Sequence, residues 1–221
     1  MNRRQWVLQS MLRSSAVALG AGLLASVTLA PLVAQAADDA PDALIKRVAT
    51  EVLEAVKADA DIQKGDMAKV MALVDGKIMP NVNFNRMTAM AVGRFWRQAT
   101  PEQQKRLQDE FKTLLVRTYS GALAQVKDQS LFFRPLRAAP TDTEVVVRSE
   151  VRGKGDPIQL DYRMEKTDGG WKIYDLNVLG VWLVETYRTQ FAQEAQAKGI
   201  DGLIDSLVAR NKANAKPAKA G

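Results

Sequence analysis

Apolar positions along this chain recur with a helical period up to about residue 123 and with a period of two from residue 130. Leu44, Ile45, Val48, Val52 and Val56 predict a first helix, with Lys46, Glu54 and Lys57 on its other faces. Gln63-Lys64-Gly65 interrupts the pattern, and Asp66 stands where the N-cap of a second helix belongs. That helix carries the stripe Met67, Val70, Met71, Val74 and Ile78, and Pro80 ends it. Asn83 is the expected cap of a third helix bearing Phe84, Met87, Ala91, Val92, Phe95 and Trp96. Thr100-Pro101-Glu102-Gln103 is the sharpest local signal. Thr100 caps, Pro101 takes the first helical position, and Gln103 reaches back to the Thr100 amide. The long helix that follows turns Leu107, Phe111, Leu114, Leu115, Tyr119, Ala122 and Leu123 inward and leaves Gln104, Lys105, Arg106, Asp109 and Lys112 in water.

Ser130 to Leu136 reads as a strand at a sheet edge, because Pro135 has no amide to donate. In Thr143 to Arg152, Val145, Val147, Ser149 and Val151 share one face, and Val146, Arg148 and Glu150 the other. Ile158, Leu160, Tyr162 and Met164 alternate with Gln159, Asp161, Arg163 and Glu165, and Asp168-Gly169-Gly170 supplies a hairpin turn. Trp171 to Val178 returns with apolar groups on both faces, Trp171 and Ile173 on one, Tyr174, Leu176 and Val178 on the other. Such a strand calls for cover on both sides. Gly180 marks the bend into a helix with Val184, Tyr187, Phe191 and Ala195, broken at Lys198-Gly199 and resumed with Leu203, Ile204, Leu207 and Val208. The whole predicts an α+β fold: a twisted four-stranded antiparallel meander packed with helices from both ends of the chain, a cone around an apolar cavity.

The two ends stand apart from this pattern. Arg3, Arg4 and Arg13 precede an apolar run from Ala16 to Leu29, and Ala34-Gln35-Ala36 is a small-x-small cleavage pattern, so residues 1–36 read as a signal peptide. Arg3-Arg4-Gln5-Trp6-Val7-Leu8 also resembles a twin-arginine signal, and either route exports the protein. Residues 37–210 then form one domain, and the Ala/Lys-rich residues 211–221 read as a disordered basic tail.

Charge changes little once the ends are set aside. The formal net charge is +6, but the leader holds three arginines and no acid, and Arg210, Lys212, Lys216 and Lys219 lie near the C-terminus. The body is close to neutral, which argues against a nucleic-acid partner. The chain has no cysteine and no histidine. Stability therefore comes from packing without disulfides, and histidine-based acid–base catalysis, the usual Ser/His and Cys/His nucleophiles and nearly every common zinc site are excluded.

Gly153-Lys154-Gly155 lies in a hairpin and not before a helix, so it is no phosphate cradle. Asp161 and Asp175, on adjacent strands, are candidate paired carboxylates, though solvated surface positions suit them better without a histidine or a metal pattern. Phe84-Asn85-Arg86 and Gly93-Arg94-Phe95-Trp96-Arg97 mix basic and aromatic groups, which fits an arginine meeting an anionic headgroup, a partner contact or plain solvation. Met67, Met71, Met79, Met87, Met90 and Met164 offer adaptable thioether surface for a core that moulds around a guest, or merely fills gaps.

Taken as a set, Gly93-Arg94-Phe95-Trp96-Arg97-Gln98-Ala99-Thr100-Pro101-Glu102-Gln103, Trp171-Lys172-Ile173-Tyr174-Asp175-Leu176, Gly180-Val181, Tyr187-Arg188-Thr189-Gln190-Phe191 and Lys198-Gly199-Ile200-Asp201-Gly202-Leu203 resemble the MlaC family of periplasmic phospholipid-binding proteins, also known as toluene-tolerance (Ttg2-type) proteins. The likeness runs from about Pro41 to Val208. It implies an NTF2-like cone with a deep apolar cavity for acyl chains and the headgroup near solvent. It also implies a monomeric shuttle between an outer-membrane lipoprotein–porin complex and an inner-membrane ABC transporter with an MCE-domain subunit, maintaining outer-membrane lipid asymmetry. On that reading the protein is no enzyme, has no cofactor beyond phospholipid as cargo, and lines its cavity with Met87, Phe95, Leu115, Tyr119, Val147, Val151, Tyr162, Met164, Ile173 and Val181. Each of these also fits an ordinary core. Leu179 and Trp182 flank Gly180-Val181 where relatives often have Glu and a small residue, so Trp182 is expected to narrow or reshape the cavity. The rival readings are an NTF2-like enzyme or binder of another small apolar ligand, using Asp161, Asp175 or Tyr162, and an interaction module with a filled core.

Overall fold

The computed structural model describes residues 39–215. The leader read at residues 1–36 and the end of the tail, 216–221, lie outside the described residues. Helix α1 (Pro41–Ala58) opens on Pro41 and buries Leu44, Ile45, Val48 and Val56. Asp59 caps the short α2 (Ala60–Gln63), and Asp66 caps α3 (Met67–Leu73), its Oδ1 accepting from the amides of Ala68 at 2.9 Å and Lys69 at 3.1 Å. The stripe expected to run to Ile78 does so with a change of winding, since Val74–Ile78 is a π turn and Met79–Asn81 a 3₁₀ turn closing on Pro80. Asn83 caps α4 (Phe84–Val92) by accepting from the Arg86 amide. Phe95 and Trp96, predicted on that helix, lie beyond its end in the 3₁₀ segment Gly93–Gln98. Both reciprocal bonds of the Thr100 capping box are present, and α5 (Pro101–Ala124) follows.

The sheet is antiparallel throughout, in the order β1 (Ser130–Phe133), β2 (Glu144–Arg152), β3 (Ile158–Thr167), β4 (Gly170–Val178), β5 (Val181–Trp182). It holds one strand more than expected, because the chain makes a two-residue turn at Leu179-Gly180 before α6 begins. Both turn residues have positive φ, +53° and +88°. Glycine takes that conformation freely, whereas leucine is held there at a cost of about 1 kcal/mol.

A bulge in β4 corrects the expected two-faced strand. Arg163 pairs with Asp175, but Met164 pairs with Ile173, so Tyr174 has no partner. The extra residue resets the alternation. Leu176 and Val178 thereby join Trp171 and Ile173 on one inner face, with Val145, Val147, Tyr162 and Met164 of the neighbouring strands, while Tyr174 turns outward. Helix α1 covers one part of that face with Leu44, Ile45 and Val48. The layer formed by α4, α5 and the final helix meets the part holding Leu176 and Val178.

Helix α6 (Leu183–Asn214) breaks where Lys198-Gly199 predicts, Gly199 adopting φ +72° and ψ −176°. Its two halves bury Leu183, Val184, Tyr187, Phe191, Leu203, Ile204 and Leu207. Phe111 of α5 meets Tyr187 and Phe191 edge-on, with centroids 5.0 and 5.2 Å away. The helix continues to Asn214, so the tail does not begin at residue 211 as expected. Asn211 is buried, its side-chain amide donating to the backbone and side chain of Glu110 at 2.9 and 2.8 Å, and its backbone carbonyl accepting from Arg117. These bonds to α5 hold the last turn in place.

Candidate functional site

Domains of this size usually have one contiguous core. Here the buried apolar side chains form three clusters. One lies among α4, α5 and α6, one between α1 and the sheet, and one where Val56, Ile62, Val70, Leu73 and Val74 meet Val116. Val52, Met79 and Val82 each pack against two of the three clusters, yet all are only partly buried. Close packing would seal such joints. These incompletely covered apolar groups form the candidate wall of a binding site.

Tyr162 makes this concrete. It sits on β3 between Val147 and Leu176, on the inner face. Burial pushes its hydroxyl above the usual phenol range, and the residue as a whole is half-buried, which adds it to the candidate wall. Tyr119 on α5 is similar: it is partly buried, and its hydroxyl is raised chiefly by burial. Leu115 on α5 and Leu176 on β4 are the other partly buried groups of this wall.

Toward the β2–β3 turn the inner face continues by register through Phe133, Ser149, Leu160, Val178 and Val181, then through Leu131, Val151 and Ile158, and of these only Phe133 and Val178 pack against a helix-covered cluster. A cleft of about 530 Å³ opens beside it between α1 and β1, floored by Leu53, Leu131 and Phe133 and rimmed by Lys46, Glu54 and Lys57. A second depression, about 390 Å³, lies on the opposite face among Glu144, Val146, Arg148, Arg163 and Tyr174 and is polar.

The sequence-predicted residues divide along these lines. Phe95, Leu115, Tyr119 and Tyr162 are partly buried around the interior, and Val151 is partly buried at the uncovered end. Met87, Val147, Met164 and Ile173 are fully buried within the clusters. Val181 is 51% exposed beside the β4–β5 turn. Val52, Val82 and Leu176 join the candidate wall without a signal in the sequence, whereas Met79 is among the methionines read there as adaptable surface. Leu176 lies on the face opposite to the expected one because nothing local marks the bulge, and Met79 and Val82 flank the irregular turn at Pro80. Among the methionines, Met67, Met71, Met79 and Met90 are partly buried and Met87 and Met164 fully so.

Trp182 does not narrow the interior. It pairs with Asn177 on the outer face, and the Arg163 guanidinium stacks on its ring at 3.9 Å. Asp161 and Asp175 are not the solvated groups expected: they are 6% and 0% exposed. Nor do they form a pair. Asp161 stands opposite Arg148 and Asn177, and Asp175 opposite Arg163. Asp175 Oδ2 accepts from Arg163 at 2.9 Å, and its Oδ1 accepts from the amides of Leu176 at 2.9 Å and Val184 at 3.1 Å, so it caps α6 from the sheet. Burial holds this carboxyl above the usual range although Arg163 and both amides pull it down. Arg86 is likewise engaged, bonding Glu144 and Glu165 and stacking on Tyr174 at 3.8 Å. Among the described residues no acidic cluster could hold a metal ion, and no helix is long and apolar enough to cross a membrane.

The outer face has a defined response to acid. Arg134 and Arg152 both donate to Glu150, holding its carboxyl below the usual glutamate range, and Arg86 does the same for Glu144. A depressed folded-state value means that these pairs stabilise fully above the ordinary glutamate pKa of 4.5 and less as pH falls through the depressed value. The urea midpoint should therefore fall on going from pH 6 to about pH 3, and the fall should shrink in Glu150→Gln. An equal fall in that variant would remove Glu150 from the account.

The match to known proteins follows this geometry. The family model described as MlaC protein matches residues 46–209. The chain is 28% identical over 181 residues to the toluene tolerance protein Ttg2D of Pseudomonas putida, covering 81% of this chain and 84% of that one. It is 23% identical over 175 residues to the intermembrane phospholipid transport system binding protein MlaC of Haemophilus influenzae, covering 77% and 82%. The phospholipid-binding protein of Ralstonia solanacearum, solved in complex with a phospholipid, superposes with a TM-score of 0.77 at 50% identity, covering 79% of this chain and 98% of that one.

Proposed function

This chain belongs to the MlaC family, and on that premise we propose that it is a periplasmic phospholipid-binding transport protein that holds acyl chains in the space between its three apolar clusters. The observation that carries the site is the joint of Val52, Met79 and Val82, apolar side chains that each pack against two clusters and still keep accessible surface. A likeness of 50% identity to a protein solved with phospholipid bound supports the cargo. The physical need is plain. A phospholipid crossing water exposes about 30 methylenes at about 0.8 kcal/mol each, a barrier on the order of 20 kcal/mol. A carrier lowers it by surrounding the chains with apolar wall and needs no chemistry, in keeping with a chain that has neither histidine nor cysteine.

In this reading the leader at 1–36 directs export, and the domain acts as a monomeric carrier without catalytic activity. It moves phospholipid between an outer-membrane lipoprotein–porin complex and an inner-membrane ABC transporter with an MCE-domain subunit, keeping the outer membrane asymmetric. The family resemblance supports that route. Native mass spectrometry with lipid extraction, on protein purified from periplasm without detergent, tests the cargo. Phospholipid near one per protein is expected. An apo mass unchanged after incubation with phospholipid vesicles would overturn the reading.

A further inference from the structure

We propose that the turn at Leu179–Val181 is a lipid-touching lip: it contacts the hydrocarbon of a bilayer and passes acyl chains onto the inner face of the sheet. This rests on the phospholipid-binding reading above and assigns where cargo enters. Leu179 carries two unfavourable features at once, a positive φ of +53° and 65% exposure. Glycine or asparagine would make the same turn without the strain and without exposing hydrocarbon. Only its amide is engaged, donating to the Gln159 carbonyl at 3.1 Å, a bond that any residue but proline can make. The leucine side chain joins none of the three apolar clusters.

Its surroundings match. Four large apolar side chains among the described residues are strongly exposed, and three of them, Ile158, Leu179 and Val181, stand together at this end of the sheet. Val181 pairs with Val178 and Val178 with Leu160, on the face that holds Tyr162 and Leu176 two residues further in. An acyl chain leaving a bilayer at the lip therefore stays on apolar surface all the way to the interior. The adjoining β2–β3 connection, residues 153–157, carries one lysine and one aspartate and so presents no net charge. Hydrocarbon, and not an anionic headgroup, is the fitting occupant.

Uptake by delipidated protein from vesicles of phosphatidylethanolamine and phosphatidylglycerol, with no protein partner present, tests the lip. Leu179→Gly should slow uptake about tenfold or more while leaving the final lipid content and the salt dependence unchanged. Its Tm should not fall, because glycine suits the turn. Since the chain has no cysteine, Leu179→Cys can carry a single environment-sensitive dye, whose emission should shift to the blue on these vesicles. Wild-type uptake rates in Leu179→Gly, or a dye that does not respond, would overturn the lip and point to a protein as the occupant of this end. Failure of the wild-type protein to take up any lipid would overturn the carrier reading itself, and the lip with it.

Discussion

Replacing Leu115 by tryptophan is expected to weaken phospholipid binding without unfolding the protein. Leu115 comes from the middle of α5, packs against the cluster of α4 and α6, and keeps accessible surface. An indole in place of the isobutyl group takes the room of about two further methylenes of cargo. At about 0.8 kcal/mol each, their displacement costs about 1.6 kcal/mol of binding, or roughly a 15-fold weaker complex. In the phospholipid-binding reading the fold tolerates the change, because the added volume enters the space that cargo occupies. In a filled core the same substitution overpacks and costs about 1–3 kcal/mol of stability. Lipid extraction and a thermal melt on one sample separate the two cases. A variant that retains lipid but melts lower would show that Leu115 faces packed core, and the interior would have to lie elsewhere.

The largest stability effect is expected at Asp175. Alanine there removes the acceptor for two amides, one of them in the first turn of α6, and strips Arg163 of its buried partner. Loss of a cap and of buried charge-assisted hydrogen bonds should together cost about 2–4 kcal/mol, a Tm lower by roughly 5–15 °C for a domain of this size. Asp175→Asn keeps Oδ1 as acceptor for the two amides but turns a donor toward Arg163, so it should recover the share of the cap and not that of the ion pair. The pH dependence runs opposite to that of Glu150. The folded-state value of Asp175 is raised, so its stabilising protonated form is fully present below the ordinary aspartate pKa of 3.8 and is lost as pH rises through the raised value. The gap between wild type and Asp175→Ala should thus be wider at about pH 3.5 than at pH 7. A gap that widens toward neutrality would mean that Arg163, and not burial, governs the group.

How much was legible follows from how far each feature reaches along the chain. The caps at Asp66, Asn83 and Thr100 act over three residues, and all three could be read from the residues alone. The inner faces of β2 and β3 could be read because their alternation is unbroken. The unpaired Tyr174 is set by strand pairing, and no neighbouring residue announces it, so Leu176 was placed on the wrong face and Trp182 was expected inside. The continuation of α6 past residue 210 depends on Asn211 reaching Glu110 about a hundred positions away. The wall was half legible for a similar reason. Phe95, Leu115, Tyr119 and Tyr162 sit on regular apolar stripes, but an apolar stripe looks the same whether it meets another side chain or a void. Only the meeting of three clusters at Val52, Met79 and Val82 tells the two apart.

The π turn at Val74–Ile78 adds a constraint of counting. Such a turn holds one residue more than the α turn it replaces, and each residue of an α-helix advances the side chains by about 100°. The surplus is absorbed within that one wider turn, so Met79 and the Val82–Ile173 bridge just downstream keep the direction an unbroken helix would give them. Were Gly76, whose surroundings are open, deleted, the stretch would wind as an ordinary helix with Met79 still aimed at the place where the clusters meet. A one-codon deletion within α1 or α5, which hold no such turn, would instead swing every later side chain of that helix by about 100°.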